Sequence, residues 1–177
     1  GPAVPTAAPT SALLLEANGL SILSDIDDTV KVTHVTDRRR MWETTFYRPF
    51  APVPGMAELY RRLTDPAVGS GASLHFVSSS PWHLYQPLAD FLATAGFPPA
   101  TLALKAIRLK DRTILNILQS GADTKRPVLE DFLARFPKRR VILIGDSGEQ
   151  DPEIYAEIAR RFPAQVARIA IRNVTGA

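Results

Sequence analysis

Two kinds of hydrophobic pattern alternate along this chain. Short apolar runs bounded by glycine or polar clusters predict buried strands. The first starts at Leu20 and ends in Ser24-Asp25-Ile26-Asp27-Asp28-Thr29-Val30, and the second spans Ala72 to Val77. A short strand is expected over Thr101 to Ala106, the clearest one over Arg140 to Ile144, and a last one over Gln165 to Ile171. Between them, apolar residues recur at helical spacing. Met56, Leu59, Tyr60 and Leu63 mark one helix, and another runs from about His83 to Ala95 with Gly96 as its stop. A third begins at Lys125 and reaches Phe136, and Thr113 to Gln119 reads as weakly helical. Asp151-Pro152 has the signature of a cap and first-turn proline, opening a helix that ends near Phe162. Strands alternating with helices predict a three-layer α/β/α Rossmann-like fold with a mostly parallel sheet. The short spacing between strand ends leaves little room for a large cap domain.

Composition narrows the class without choosing within it. The chain has 177 residues, 45% hydrophobic and 22% charged, the balance of an ordinary globular domain. Residues 1–18, rich in Pro, Ala and Thr, read as a flexible tail whose opening Gly1-Pro2 looks like a cleavage remnant. Residues 19–177 are then expected to form one domain. A net charge of +3 implies only weak attraction to phosphate-bearing partners. The absence of cysteine excludes disulfides and thiolate nucleophiles. No apolar run reaches the roughly 20 residues of a bilayer span, and the start carries no export signal, so a cytoplasmic location is expected. Basic residues are dispersed and no nucleic-acid-binding motif is present, so no nucleic-acid partner is expected.

The candidate chemistry lies at strand ends, where a parallel sheet opens its crevice. Three predicted ends carry polar residues: Asp25, Asp27 and Thr29; then Ser78; then Asp146 with Asp151. Asp25 and Asp27 would face one opening, where two like charges raise each other's pKa. A hard divalent cation, most simply Mg²⁺, relieves that repulsion. With Lys125 these residues supply the parts of a phosphoryl-transfer site. A carboxylate serves as nucleophile and a second as general acid and base. A hydroxyl and a lysine hold the transferring oxygens, and further carboxylates hold Mg²⁺. Alternatives stay open at this level. Asp-Ile-Asp-Asp-Thr could be a solvated turn, Ser79 or Ser80 could replace Ser78, and Lys105 competes with Lys125. Asp151 could be a helix cap as well as a ligand. Asp28 reads as a turn carboxylate, and His34, His75 and His83 share no metal-ligand spacing.

On these residues the sequence resembles the haloacid dehalogenase superfamily of aspartate-nucleophile phosphatases. The resemblance implies Asp25 as nucleophile, Asp27 as acid/base and Thr29 as the third element of an Asp-x-Asp-x-Thr motif. It implies Ser78 as the second-motif hydroxyl, Lys125 as the third-motif lysine, and Asp146 and Asp151 as the acidic metal-binding motif. Mg²⁺ would be held by Asp25, Asp146, Asp151 and the backbone carbonyl of Asp27. Within that superfamily, Ser24-Asp25-Ile26-Asp27-Asp28-Thr29, Ser80-Pro81-Trp82 and Gly145-Asp146-Ser147-Gly148 through Asp151-Pro152-Glu153-Ile154-Tyr155 look like the catalytic domain of the fungal actin-patch phosphatidate phosphatases. That similarity runs from about Gly19 to Thr175. It implies Mg²⁺-dependent conversion of phosphatidate and water to diacylglycerol and phosphate through an aspartyl-phosphate. A phosphatase for another phosphomonoester or a phosphoprotein, and a non-catalytic phosphatidate-binding module, are the alternatives.

An open site suits a large or interfacial substrate. Trp42, Phe46, Tyr47 and Trp82 could flank the opening as amphipathic interface residues, although packing of the loop aromatics onto the core competes with that reading. Arg38, Arg39 and Arg40 would favour peripheral contact with an anionic membrane.

Overall fold

β1 (Gly19–Ser24) is the middle strand of a five-stranded sheet in the computed structural model, which describes residues 13–34, 49–105 and 121–176. The other strands are β2 (Ser73–Pro81), β3 (Ala100–Lys105), β4 (Arg139–Asp146) and β5 (Val166–Arg172), in the order β3-β2-β1-β4-β5. Every pairing is parallel. The helices are α1 (Met56–Thr64), α2 (Tyr85–Thr94), α3 (Gly121–Arg135) and α4 (Asp151–Arg161). From β1 the chain steps outward to β3, then crosses to β4 on the other side. The loops leaving β1 and β4 therefore part in opposite directions, which opens a crevice at their carboxyl ends.

Adjacent residues of β1 build opposite halves of the core, because side chains alternate across a strand. Ile22 packs with Tyr60 of α1 and Leu88 and Phe91 of α2. Leu23 packs with Leu129 and Leu133 of α3 and Ile154, Tyr155 and Ile158 of α4. A sheet covered on both faces needs apolar residues at successive positions, and β1 and β4 have them. The α/β architecture and parallel sheet expected from the sequence are present, and among the described residues none forms a second domain over the strand ends.

Several boundaries differ from the sequence reading. β2 continues through Ser78, Ser79 and Ser80 to Pro81, with a register shift against β3 between Ser78 and Pro81. A 3-10 turn, Trp82–Leu84, precedes α2. Gly96 has φ +77°, the left-handed conformation expected of a helix stop. α3 starts four residues before Lys125, so the lysine sits in the second turn rather than at the start. Its first turn has no apolar stripe to betray it. Gln150, not Asp151, takes the cap position of α4, and no side chain caps that helix. Asp151 is its first residue and Pro152 its second, which frees the carboxylate for other partners.

The helix expected over 113–119, Arg38 to Arg40, and Trp42, Phe46 and Tyr47 lie outside the described residues. Among the described residues no helix is long and apolar enough to cross a membrane.

Candidate active site

The crevice begins where Asp25 leaves β1. Its backbone N–H donates to the Ile144 carbonyl of β4 at 2.9 Å, so the β1 and β4 loops start side by side. The chain then turns tightly: the N–H groups of Val30 and Lys31 both donate to the Ile26 carbonyl. Asp28 adopts φ +53°, a left-handed conformation that aspartate tolerates better than bulkier residues. Its Oδ1 accepts the N–H groups of Thr33 at 2.7 Å and His34 at 2.9 Å. Asp28 is thus the turn carboxylate that its sequence position suggested. Arg172, the last residue of β5, donates to the Asp28 carbonyl and braces the same loop.

Asp25, Asp146 and Asp151 meet at the floor of this crevice, all buried. Each offers a carboxylate oxygen, and the three oxygens lie within 4.8 Å of one another. Lys125 is the lysine brought to them: Nζ is 2.8 Å from Asp25 Oδ1, 2.6 Å from Asp151 Oδ1 and 3.1 Å from Glu149 Oε2. Lys105, its rival in the sequence, ends β3 opposite Pro81. Asp146 Oδ1 accepts the Gly148 N–H at 2.6 Å, and Asp151 Oδ2 accepts the Asp146 N–H at 3.3 Å. Asp25 Oδ2 and Asp146 Oδ2 are buried with no hydrogen-bond partner among the described residues.

Electrostatics follow from one ammonium among several acids. Burial pushes Asp25 well above the ordinary carboxylate range; Lys125 pulls it down while Asp151, Glu149 and Asp27 push it further up. Burial raises Asp146 to about 7, and raises Glu149 and Asp151 against the pull of Lys125. Burial alone would lower Lys125, but Asp25, Glu149 and Asp151 together hold it well above the ordinary lysine value. Excess negative charge of this kind is met by protons or by a cation. The unpartnered oxygens of Asp25 and Asp146 and the all-oxygen donor set fit a hard divalent ion.

Asp27 has a different environment. Its Oδ1 is 2.7 Å from Lys31 Nζ and accepts the Thr33 hydroxyl at 2.7 Å. Its Oδ2 accepts the hydroxyls of Ser78 at 3.2 Å and Ser80 at 3.1 Å. Burial raises the carboxyl, but Lys31 and these hydrogen bonds outweigh it and hold Asp27 at about 2. Burial thus prevails over Lys125 at Asp25, whereas Lys31 and the hydroxyls prevail over burial at Asp27, so two carboxylates two residues apart are displaced in opposite directions.

The structure brings together Asp25, Asp27, Ser78, Lys125, Asp146 and Asp151, and places Thr29 in the same loop, fully buried, its Oγ1 without a hydrogen-bond partner among the described residues. Ser80 shares the Asp27 contact with Ser78, while Ser79 Oγ makes no hydrogen bond among the described residues. Alternation along the extended strand explains the choice, since 78 and 80 share a side. Lys31, Thr33 and Glu149 were not singled out from the sequence. Lys31 falls four residues after Asp27, a spacing that pairs charges on a turn, and Glu149 lies inside the motif that holds Asp146 and Asp151.

Residues 20–173 match the family described as the catalytic domain of phosphatidate phosphatase APP1. The chain is 38% identical over 164 residues to an uncharacterized protein of Schizosaccharomyces pombe, covering 91% of this chain and 26% of that protein. It is 36% identical over 157 residues to phosphatidate phosphatase APP1 of Saccharomyces cerevisiae, covering 87% of this chain and 26% of that protein. The chain thus spans about a quarter of the length of these relatives. Its fold is shared with a chain in the structure of a Pnkp1/Rnl/Hen1 complex, with a TM-score of 0.61 and 14% identity over 97% of this chain and 52% of that one. With the match running from the first sheet strand to the last, the chain belongs to the phosphatidate phosphatase APP1 catalytic-domain family.

Proposed function

We propose that this chain is a phosphomonoester hydrolase of the haloacid dehalogenase type, with phosphatidate as substrate and Mg²⁺ as cofactor. The observation that carries the proposal is the split between Asp25, set among Asp146, Asp151 and Lys125, and Asp27, set among Lys31, Ser78 and Ser80. Family membership supports the substrate class.

In this mechanism an Asp25 oxygen attacks phosphorus and the ester P–O bond breaks, its electron pair staying on the leaving oxygen. That oxygen takes a proton from Asp27 Oδ2. Water then attacks phosphorus, Asp27 takes its proton, and the acyl-phosphate bond breaks to restore Asp25 and release phosphate. Held at about 2, Asp27 is ionised in the free protein, the form that accepts a proton from water. A phosphate dianion beside Oδ2 favours the protonated form needed first, since like charge raises a carboxyl. Ser78, Thr29 and Lys125 hold phosphoryl oxygens. Asp25, Asp146, Asp151 and the Asp27 carbonyl would hold Mg²⁺, which supplies neutralisation of phosphoryl charge when bound.

The exposed rim suits a lipid surface. Trp82 is 57% exposed, two residues beyond Ser80, and packs at a tilt against Tyr85 with ring centroids 4.9 Å apart. Aromatic rings with a polar edge favour the headgroup region, so contact with the membrane is peripheral. The test is Mg²⁺-dependent phosphate release from phosphatidate in mixed micelles, beside p-nitrophenyl phosphate, for the wild type and Asp25→Asn. Lipid hydrolysis abolished by Asp25→Asn supports the proposal. Hydrolysis of the small ester alone keeps the chemistry and removes the lipid substrate. Vesicle binding without hydrolysis of either makes the chain a binding module.

A further inference from the structure

The crevice contains a second buried cation, Lys31, which no step above uses. Its side chain is 1% exposed, with Nζ 2.7 Å from Asp27 Oδ1 and 4.8 Å over the Phe50 ring centroid. Burying an ammonium is unfavourable unless it is closely paired, so a lysine is not placed here for packing alone. Backbone bonds fix the point to which it is delivered. The Asp28 N–H donates to the Lys31 carbonyl at 2.7 Å, and the Lys31 N–H donates to the Ile26 carbonyl at 3.0 Å.

The two oxygens of Asp27 are consequently unlike. Oδ1 is taken by the Lys31 ammonium, which lies over the Phe50 ring, and by the Thr33 hydroxyl. Among the described residues, Oδ2 is taken only by the hydroxyls of Ser78 and Ser80 at the end of β2. A hydroxyl can turn from a carboxylate toward an arriving oxygen, whereas an ammonium buried against an aromatic ring stays put.

We propose that Lys31 is the positioning residue for Asp27, pinning Oδ1 so that Oδ2 is the oxygen that delivers the proton to the leaving group and takes it from water. The inference rests on Asp27 being the acid/base of the proposed reaction. A cation acting by charge alone would not need one oxygen rather than the other; a positioning cation does, because proton transfer requires the acid within hydrogen-bond reach of the leaving oxygen.

The test compares two esters in the first turnover of the Mg²⁺-loaded full chain. Hexyl phosphate has a poor leaving group that needs Asp27, and p-nitrophenyl phosphate has a good one that does not. Rates of alcohol and nitrophenolate release are measured for the wild type, Lys31→Met, Thr33→Val and Asp27→Asn. Lys31→Met is expected to lower the hexyl-to-nitrophenyl rate ratio about tenfold or more, with a smaller change in the same direction for Thr33→Val. An equal fall on both esters, or a ratio unchanged or raised, overturns the proposal, since loss of folded protein or of charge alone would act that way. If Lys31→Met does not fold, Thr33→Val decides by the same criterion. A collapsed ratio in Asp27→Asn beside an intact one in the folded Lys31 variant overturns the positioning role alone. An intact ratio in Asp27→Asn overturns the acid/base reading and this inference with it.

Discussion

Gly145 and Asp151 approach so closely that no side chain fits between them: a Cβ on Gly145 would lie 2.8 Å from both Cβ and Cγ of Asp151. The end of β4 and the first residue of α4 are in contact through a hydrogen atom where any other residue would place a Cβ. That approach sets the Asp151 carboxylate against the Asp146 N–H and the Lys125 ammonium.

Gly145→Ala should therefore act on the site as well as on the fold. The added methyl must displace Asp151, with a stability cost of about 1–3 kcal/mol for overpacking. Chemical denaturation would measure that loss. Mg²⁺ affinity by calorimetry should fall about tenfold or more, as a displaced or misoriented ligand implies. Unchanged affinity with reduced stability would remove Asp151 from the ligand set.

Lys125→Met should destabilise the metal-free protein by about 3–5 kcal/mol, because Asp25 and Asp151 are left buried without their cation. The residual charge then has only protons or added cations to meet it. Mg²⁺ should raise the thermal midpoint of the variant by more than that of the wild type. Equal shifts would place the cation elsewhere.

Asp146 gives the site a pH dependence of defined sign. Burial raises it to about 7 from an ordinary carboxylate value of 3.8. Between those values the folded chain keeps a proton that the unfolded chain has lost, so this group's contribution to stability declines as pH rises from about 4 to 7. A cation competes with that proton. Mg²⁺ binding should tighten as pH rises through 7, and thermal shifts at pH 6 and 8 would measure it. In Asp146→Asn the pH dependence of the shift should weaken together with the affinity.

Arg172→Met tests the brace between β5 and the β1 loop. Loss of the guanidinium leaves the Asp28 carbonyl to water, at a cost of about 1 kcal/mol. The hydrolysis rate should fall while the sheet persists, and far-UV circular dichroism beside the rate would show both. A full rate in the folded variant would mean the loop is held by Asp28's own bonds to Thr33 and His34.

The hydrophobic periods alone determined that strands and helices alternate, and so that the sheet is parallel and covered on both faces. They also placed the acidic motifs at strand ends, because apolar runs stop where β1 and β4 leave the core. Element starts were harder to read. The first turn of α3 has no apolar pattern in the sequence, and Ser78 to Pro81 extend β2 through pairing with β3 rather than through any apolar pattern. Asp151 carried both a capping and a ligand signature, and only the packing of β4 against α4 turned its carboxylate toward Asp146 and Lys125. The pairing of Lys31 with Asp27, and the unlike environments of Asp25 and Asp27, are likewise tertiary facts. A sequence orders charges along a line. Which cation faces which carboxylate, and how far water is excluded from the pair, is decided when the strands bring their ends together.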